Sequence, residues 1–198
     1  MQARSKIMLV VTLMTALSPI FSVQHAAAAH TDSTYDVLIY GATPAGIAAA
    51  VTAGRHEHRV LLVEPTSRIG GLMTNGLSHP DFRTFEAITG LYEDLTEQTL
   101  QYYSEKYGPD SQQVKDCLRG THPEPKLIVR LFHDMLEANS NITIMKSSRR
   151  HSTELNNTGI SLERIHFING ADEKFSVQSR MFIDATYEGD LMAAAGVD

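Results

Sequence analysis

Apolar and polar positions follow several distinct rhythms along the chain. After a positive start at Arg4 and Lys6, Ile7 to Val23 is mostly apolar and runs out into Ala26-Ala27-Ala28-Ala29. That layout is a secretory leader with a small-residue cleavage site, so residues 1–29 are expected to be removed on export. Thr12, Thr15, Ser18 and Pro19 interrupt the run, leaving it marginal against the roughly 20 apolar residues a membrane span needs. An uncleaved anchor is the alternative. The mature protein is expected in the periplasm or secreted, without a stable membrane span.

From Tyr35 the rhythm changes. Tyr35 to Tyr40 and Arg59 to Val63 are short runs, apolar apart from Asp36 and Arg59, as strands buried on both faces should largely be. Between them, Pro44 to Ala53 predicts a helix, with proline at its first position and Gly54 as its stop. Strand, tight turn, helix and strand make a βαβ unit with parallel strands. Phe85 to Tyr107 then carries apolar and aromatic residues at helical spacing, broken by Gly108-Pro109-Asp110. His122-Pro123-Glu124-Pro125 is irregular, and Lys126 to Ala138 reads as an amphipathic helix. Asn141 to Met145 predicts a strand, Ile160 to Val177 a hairpin around Asn169-Gly170, and Arg180 to Asp184 a last strand. No internal repeat or low-complexity linker interrupts this order.

Composition narrows the classes without naming one. With 42% apolar and 20% charged residues, the 198-residue chain is globular: one domain, or a piece of a larger one. Its net charge is −6, more acidic still once Arg4 and Lys6 leave with the leader. That argues against a nucleic-acid partner, which needs a concentrated positive field. Arg149-Arg150 reads as an isolated pair on a solvated surface. Cys117 is the only cysteine, so the chain holds no Cys-x-x-Cys redox pair. A packed thiol is the simpler reading of it. His122, His133, His151 and His166 are too scattered to suggest a metal site.

The chemistry lies in Gly41-Ala42-Thr43-Pro44-Ala45-Gly46, between the first strand and the first helix. A Gly-x-Gly-x-x-Gly turn belongs there: Gly41 for the tight turn, Gly46 for close packing, and the helix start for a pyrophosphate. Thr43 stands at the middle glycine, with a Cβ that crowds a phosphate and a hydroxyl that could donate to it. Glu64 ends the second strand 18 residues past Gly46, near the roughly 20-residue spacing of the carboxylate that binds ribose hydroxyls. Such a carboxylate repels a 2′-phosphate, which disfavours NADP. Gly70-Gly71 removes two Cβ atoms where the chain would pass a large flat ligand. The distant segment Phe182 to Leu191 runs a strand into a small-residue turn with acidic ends, which an NAD domain does not require.

These motifs resemble the FAD-dependent oxidoreductases of the glutathione-reductase-like flavoprotein superfamily. More narrowly, the chain is similar to an exported bacterial group that begins Tyr-Asp-Val-x-x-Tyr-Gly-Ala-Thr-Pro-Ala-Gly, here Tyr35 to Gly46. The resemblance runs from Tyr35 through Leu77 and resumes at Phe182 to Gly196. It implies a Rossmann-like α/β fold: a parallel sheet with a βαβ start, a β-hairpin or meander, and a helical insertion at about residues 80–140. It implies FAD as cofactor, held by Gly41, Ala42, Thr43, Pro44, Ala45, Gly46, Glu64, Pro65, Gly70, Gly71, Ala185, Thr186, Gly189 and Asp190. The superfamily's Ala-Thr-Gly is Ala185-Thr186-Tyr187 here, and Gly189-Asp190 is expected to take over part of the third position's role. Family members extend further into a substrate domain, so residues 30–198 correspond to the N-terminal part of a flavin domain.

The leading expectation is a flavoenzyme that takes a hydride from an unidentified organic small molecule, with this portion alone inactive. A nucleotide-binding module without turnover and an NAD-binding Rossmann protein remain as alternatives. No residue is identified as a catalytic acid or base, although His79 and Asp81 follow the diglycine and could face a flavin cavity. Export predicts cleavage near Ala28 or Ala29. Intact-mass analysis of protein from an exporting host should show a chain starting close to His30, whereas retained Met1 would mean an anchor.

Overall fold

The computed structural model describes residues 31–77 and 79–197; the expected leader, residues 1–29, lies outside them. The elements run β1 (Thr31–Tyr40), α1 (Pro44–Arg55), β2 (Val60–Val63), α2 (Gly71–Thr74), α3 (Leu91–Tyr107), α4 (Gln112–Asp116), α5 (Pro125–Glu137), β3 (Ile142–Met145), β4 (Ser148–Leu155), β5 (Leu162–Asn169), β6 (Lys174–Asp184) and α6 (Asp190–Ala194). The strands hydrogen-bond in the order β3-β2-β1-β6-β5-β4. β3, β2, β1 and β6 are parallel, and β5 and β4 continue antiparallel from β6.

β3 and β4 lie at opposite ends of that order, yet only Lys146 and Ser147 separate them in the chain. Five strand spacings of ~4.8 Å make about 24 Å in a flat sheet. Two linking residues reach only about 11 Å. The ribbon therefore doubles back, and the meander β4–β5 lies over the face of β1 and β2. Ser147, at φ 53°, makes the turn. The backbone N–H of Ser148 donates to the Glu64 carbonyl at 3.0 Å, and that of Arg150 donates to the Tyr40 hydroxyl at 3.0 Å. β6 joins the two layers: Lys174 to Gln178 pairs with β5, and Ser176 to Asp184 pairs with β1.

The apolar runs now have a cause. On β1 and β2, Leu38, Tyr40, Leu61 and Val63 face the meander, where they pack with Ile165, Phe167 and Val177. Ile39, Val60 and Leu62 face α1 and α5, where Ile47, Ala50, Ile128 and Phe132 meet them. Alternate side chains enter different cores, so Leu38 to Tyr40 and Val60 to Val63 are all apolar, while Asp36 and Arg59 at the start of the runs are not buried.

Several expectations change. Gly54 does not stop α1; it lies within the last turn, and His56 caps the helix. A Cβ on Gly54 would come within 2.8 Å of the Asn139 amide and 2.9 Å of Ile142 Cγ1, so the glycine permits close approach of the α5–β3 turn. The residue with positive φ is Glu57 instead. The Asn169-Gly170 hairpin exists, but its left-handed residue is Asp172. The strands expected to end at Val177 and start at Arg180 are one, β6. β4 was not anticipated: Ser-Arg-Arg-His-Ser-Thr-Glu-Leu is polar because the strand sits at the outer edge of the meander. Helices α3, α4 and α5 occupy residues 91–137, within the stretch read as a helical insertion.

If the meander is held by its apolar face, Phe167→Ala should be costly. Phe167 is fully buried between Tyr40 and Phe175, with ring centroids at 5.9 and 5.3 Å. A loss of about 3–5 kcal/mol is expected in urea denaturation.

Candidate nucleotide-binding cleft

The parallel strands β1, β2 and β6 end at one level, and their following turns are tied together there. The Gly41 N–H donates to the Val63 carbonyl at 2.8 Å and the Ala185 N–H to the Tyr40 carbonyl at 2.8 Å. Gly41, at φ 100°, passes so near β6 that a Cβ would lie 2.8 Å from the backbone of Ala185 and Thr186. A Cβ on Gly46 would overlap the Gly41 carbonyl oxygen. Both glycines are therefore required by the turn's own packing.

Thr43 needs no such freedom. Its backbone is extended (φ −69°, ψ 171°), so a side chain is sterically permitted. Its hydroxyl accepts the Gly46 N–H at 3.3 Å, capping α1, and donates to the Ala185 carbonyl at 2.8 Å. The hydroxyl thus stitches the turn to β6, rather than standing free as the sequence suggested. The remaining N–H groups of the first turn have no intrahelical acceptor, which leaves partial positive charge at this end.

Glu64 is only 8% exposed, and its carboxylate reaches the same turn. Oε2 accepts the Ala42 N–H at 2.8 Å; Oε1 accepts the Thr66 N–H at 2.8 Å and the Thr66 hydroxyl at 2.7 Å. A carboxylate offers about four acceptor positions, so these three bonds leave room for one ligand hydroxyl.

Above these groups lies a cleft of about 680 Å³. Of the expected residues, Gly41, Thr43, Glu64, Pro65, Gly71, Thr186 and Asp190 line it. Ala42, Pro44, Ala45, Gly46, Gly70, Ala185 and Gly189 shape the turns without lining it. Gly70 donates its N–H to the Ala42 carbonyl at 2.6 Å, holding the diglycine against the turn. Its Cβ would strike Thr74, and one on Gly71 would overlap the Tyr187 hydroxyl. Gly189, at φ 72°, precedes α6, and a Cβ there would meet Met192 at 3.3 Å.

The cleft is also lined by residues outside the expected cofactor set: Tyr40, Thr66, Arg68, Leu72, Asn75, Arg149, Arg150, Tyr187 and Glu188. The expectation for Arg149-Arg150 holds for one of the two residues. The pair starts β4 beside Glu64 and joins Arg68 on the cleft wall; Arg149 is exposed and lies 4.0 Å from Asp172, as a solvated residue does, while Arg150 departs from that reading. Arg150 is partly buried, and its Nε has no protein partner among the described residues. Arg68 and Arg150 on the wall of a cleft that starts at a helix N-terminus suit a diphosphate. Burial raises the Tyr40 hydroxyl above its usual pKa; the Arg150 N–H opposes that, and Asp190 and Glu64 add to it.

His79 and Asp81 do not line this cleft; the His79 ring meets His122 edge-on at 4.5 Å. Burial, then the neighbouring His79, lowers the His122 pKa. Cys117 is buried, and its thiol sits 3.2 Å from the Val114 carbonyl, as a packed side chain does. Among the described residues, no group of three or more His, Cys, Asp or Glu side chains could hold a metal. No helix among them is long and apolar enough to cross a membrane.

A parallel βαβ unit whose glycine turn faces a carboxylate at the second strand's end defines a dinucleotide-binding domain. The pattern of the FAD-dependent oxidoreductase family matches residues 36–198, and the chain belongs to that family, whose cofactor is FAD. A thioredoxin reductase from Mycolicibacterium smegmatis is 32% identical over 123 residues, covering 60% of this chain and 37% of that protein. Among solved structures, a bacillithiol disulfide reductase from Bacillus cereus aligns with a TM-score of 0.52 at 14% identity, covering 78% of this chain and 40% of that one. L-proline dehydrogenase from P. horikoshii aligns with a TM-score of 0.50 at 18% identity, over 79% and 23%. These structures share the fold. The chain spans 19% and 37% of the lengths of two curated relatives.

Asp184, at the end of β6, organises the third turn. Its carboxylate accepts from the Thr186 N–H and hydroxyl at 2.9 and 2.7 Å, and from the Leu191 and Met192 N–H groups at 2.7 and 2.8 Å. Burial would raise its pKa, but these four bonds together outweigh it and hold the carboxyl below its usual value. A lowered folded pKa means stability that is present above the unfolded value and lost as pH falls through the folded one. Asp184→Asn should therefore cost about 1.5–3 kcal/mol at neutral pH. The gap to wild type in urea denaturation should close as pH falls through and below the usual carboxylate range.

Proposed function

We propose that the protein containing this chain is an FAD-dependent oxidoreductase acting on an organic small molecule, and that the cleft holds the ADP half of its FAD. The observation that carries this reading is Glu64, anchored to the Ala42 N–H of the glycine turn with one acceptor position left. The residues fit each part of the nucleotide in turn. Glu64 receives a ribose hydroxyl, and its charge turns away a 2′-phosphate. The N-terminus of α1, with Arg68, Arg149 and Arg150 nearby, balances the pyrophosphate. Gly41 and Gly46 keep the turn low enough for a ligand to pass over it.

When bound, the isoalloxazine ring would supply the redox chemistry, accepting a hydride from the substrate and passing the electrons on. This chain's contribution is to bind and orient. This chain's single cysteine is buried, so its own residues supply no dithiol. The leader pattern supports export to the periplasm or beyond, and the acidic balance supports a small-molecule rather than a nucleic-acid partner.

Titration of the purified chain with FAD and with ADP tests the reading. Every group identified addresses the shared ADP half, so the two affinities should be comparable. Glu64→Ala should weaken both by about 1.5–3 kcal/mol, the usual worth of a charge-assisted hydrogen bond. An unchanged dissociation constant in the variant would remove Glu64 from the site. Failure of the wild-type chain to bind either ligand would overturn the assignment.

A further inference from the structure

Two walls of the cleft come from segments far apart in sequence: Gly71-Leu72 at the start of α2, and Thr186 to Glu188 before α6. Tyr187 joins them. Its hydroxyl accepts the Leu72 N–H at 2.9 Å across 115 residues of chain. Its ring stands over Gly71, where a Cβ would overlap the hydroxyl and lie 3.1 Å from Cζ. Gly71 thereby leaves room for the ring.

Tyr187 is nonetheless 57% exposed, so burial does not hold it in place. A surface ring kept by one hydrogen bond over a glycine can swing away at little cost, since exposed side chains change rotamer in ps–ns. The hydroxyl uses its acceptor capacity on Leu72. Its own proton meets no acceptor among the described residues, which leaves it for an oxygen of a ligand.

We propose that Tyr187 is a latch on the cofactor cleft. It swings aside to admit the dinucleotide, then closes against Leu72 and donates to a ligand oxygen. The inference rests on reading this cleft as the FAD site. Tyr187 is a positioning residue: it governs how long the cofactor stays, and takes no part in hydride transfer.

The test compares flavin release from FAD-loaded wild type, Tyr187→Phe, Tyr187→Ala, Gly71→Ala and the Gly71→Ala/Tyr187→Ala double variant. A large excess of ADP blocks rebinding, and free-flavin fluorescence reports release. Tyr187→Phe keeps the ring and removes both hydrogen bonds, so release should be about 3- to 10-fold faster. Association and the melting temperature of the unliganded protein should change little, which a merely structural role would not produce. Gly71→Ala places a methyl where the hydroxyl sits, and adds left-handed strain at φ 52°. The strain acts with or without the ring; the forced opening acts only with it. Gly71→Ala should therefore speed release in the wild-type background and add little in Tyr187→Ala. Wild-type release in Tyr187→Phe, or effects of the two sites that multiply, overturns the latch and leaves the FAD site standing. Tyr187→Phe decides this alone if a Gly71 variant fails to fold. Absence of FAD binding to wild type overturns both.

Discussion

β1 and β2 are buried on both faces, and the rest of the molecule is arranged around that constraint. A strand whose alternate side chains are all apolar must be covered twice, once by helices and once by something else. Here α1 and α5 cover one face, and the chain turns at Ser147 to lay the meander on the other. β6 belongs to both layers and so fixes their relative position. The three turns after β1, β2 and β6 then emerge at one edge, where no further layer among the described residues covers them. The cleft is the gap left between these turns.

What holds that edge together is a set of hydrogen bonds between turns, more than apolar contact. Glu64 ties the β2 turn to the β1 turn through Ala42, Thr43 ties the β1 turn to β6 through Ala185, and Gly70 returns to Ala42. Asp184 and Thr186 organise the β6 turn in the same manner. The groups that would meet a nucleotide are also those that brace one another. A site built this way is pre-organised, because rotating Glu64 or Thr43 out of place would break bonds to buried partners. Thr43 shows how the glycine motif tolerates a substitution: the middle position is extended here, and its hydroxyl is used inside the protein.

Charge follows from the same geometry. The chain is acidic overall, yet Arg68, Arg149 and Arg150 gather on one wall of the cleft. Net charge describes the far field; a bound diphosphate senses the few groups within a Debye length of about 8 Å. Arg149 and Arg150 reach that wall only because β4 crosses over the end of β2.

The sequence by itself determined the βαβ unit, the glycine turn, the carboxylate at the end of β2 and the strand leading to Asp184. Each is a local signal: an apolar run, a Pro–Gly frame, or a fixed spacing set by one helix between two strands. It also located Asn169-Gly170 as a hairpin and helices at Phe85 to Tyr107 and Lys126 to Ala138, close to α3 and α5. Only the tertiary structure decided that Gly54 serves packing against Asn139, and that the polar segment Ser148–Leu155 is a strand. The same holds for the placing of Arg149, Arg150 and Tyr187 beside residues up to 115 positions away. Those facts depend on which layer folds over which. Chain reversal at Ser147 is fixed by the summed burial of two sheet faces, and no residue near Ser147 carries that information.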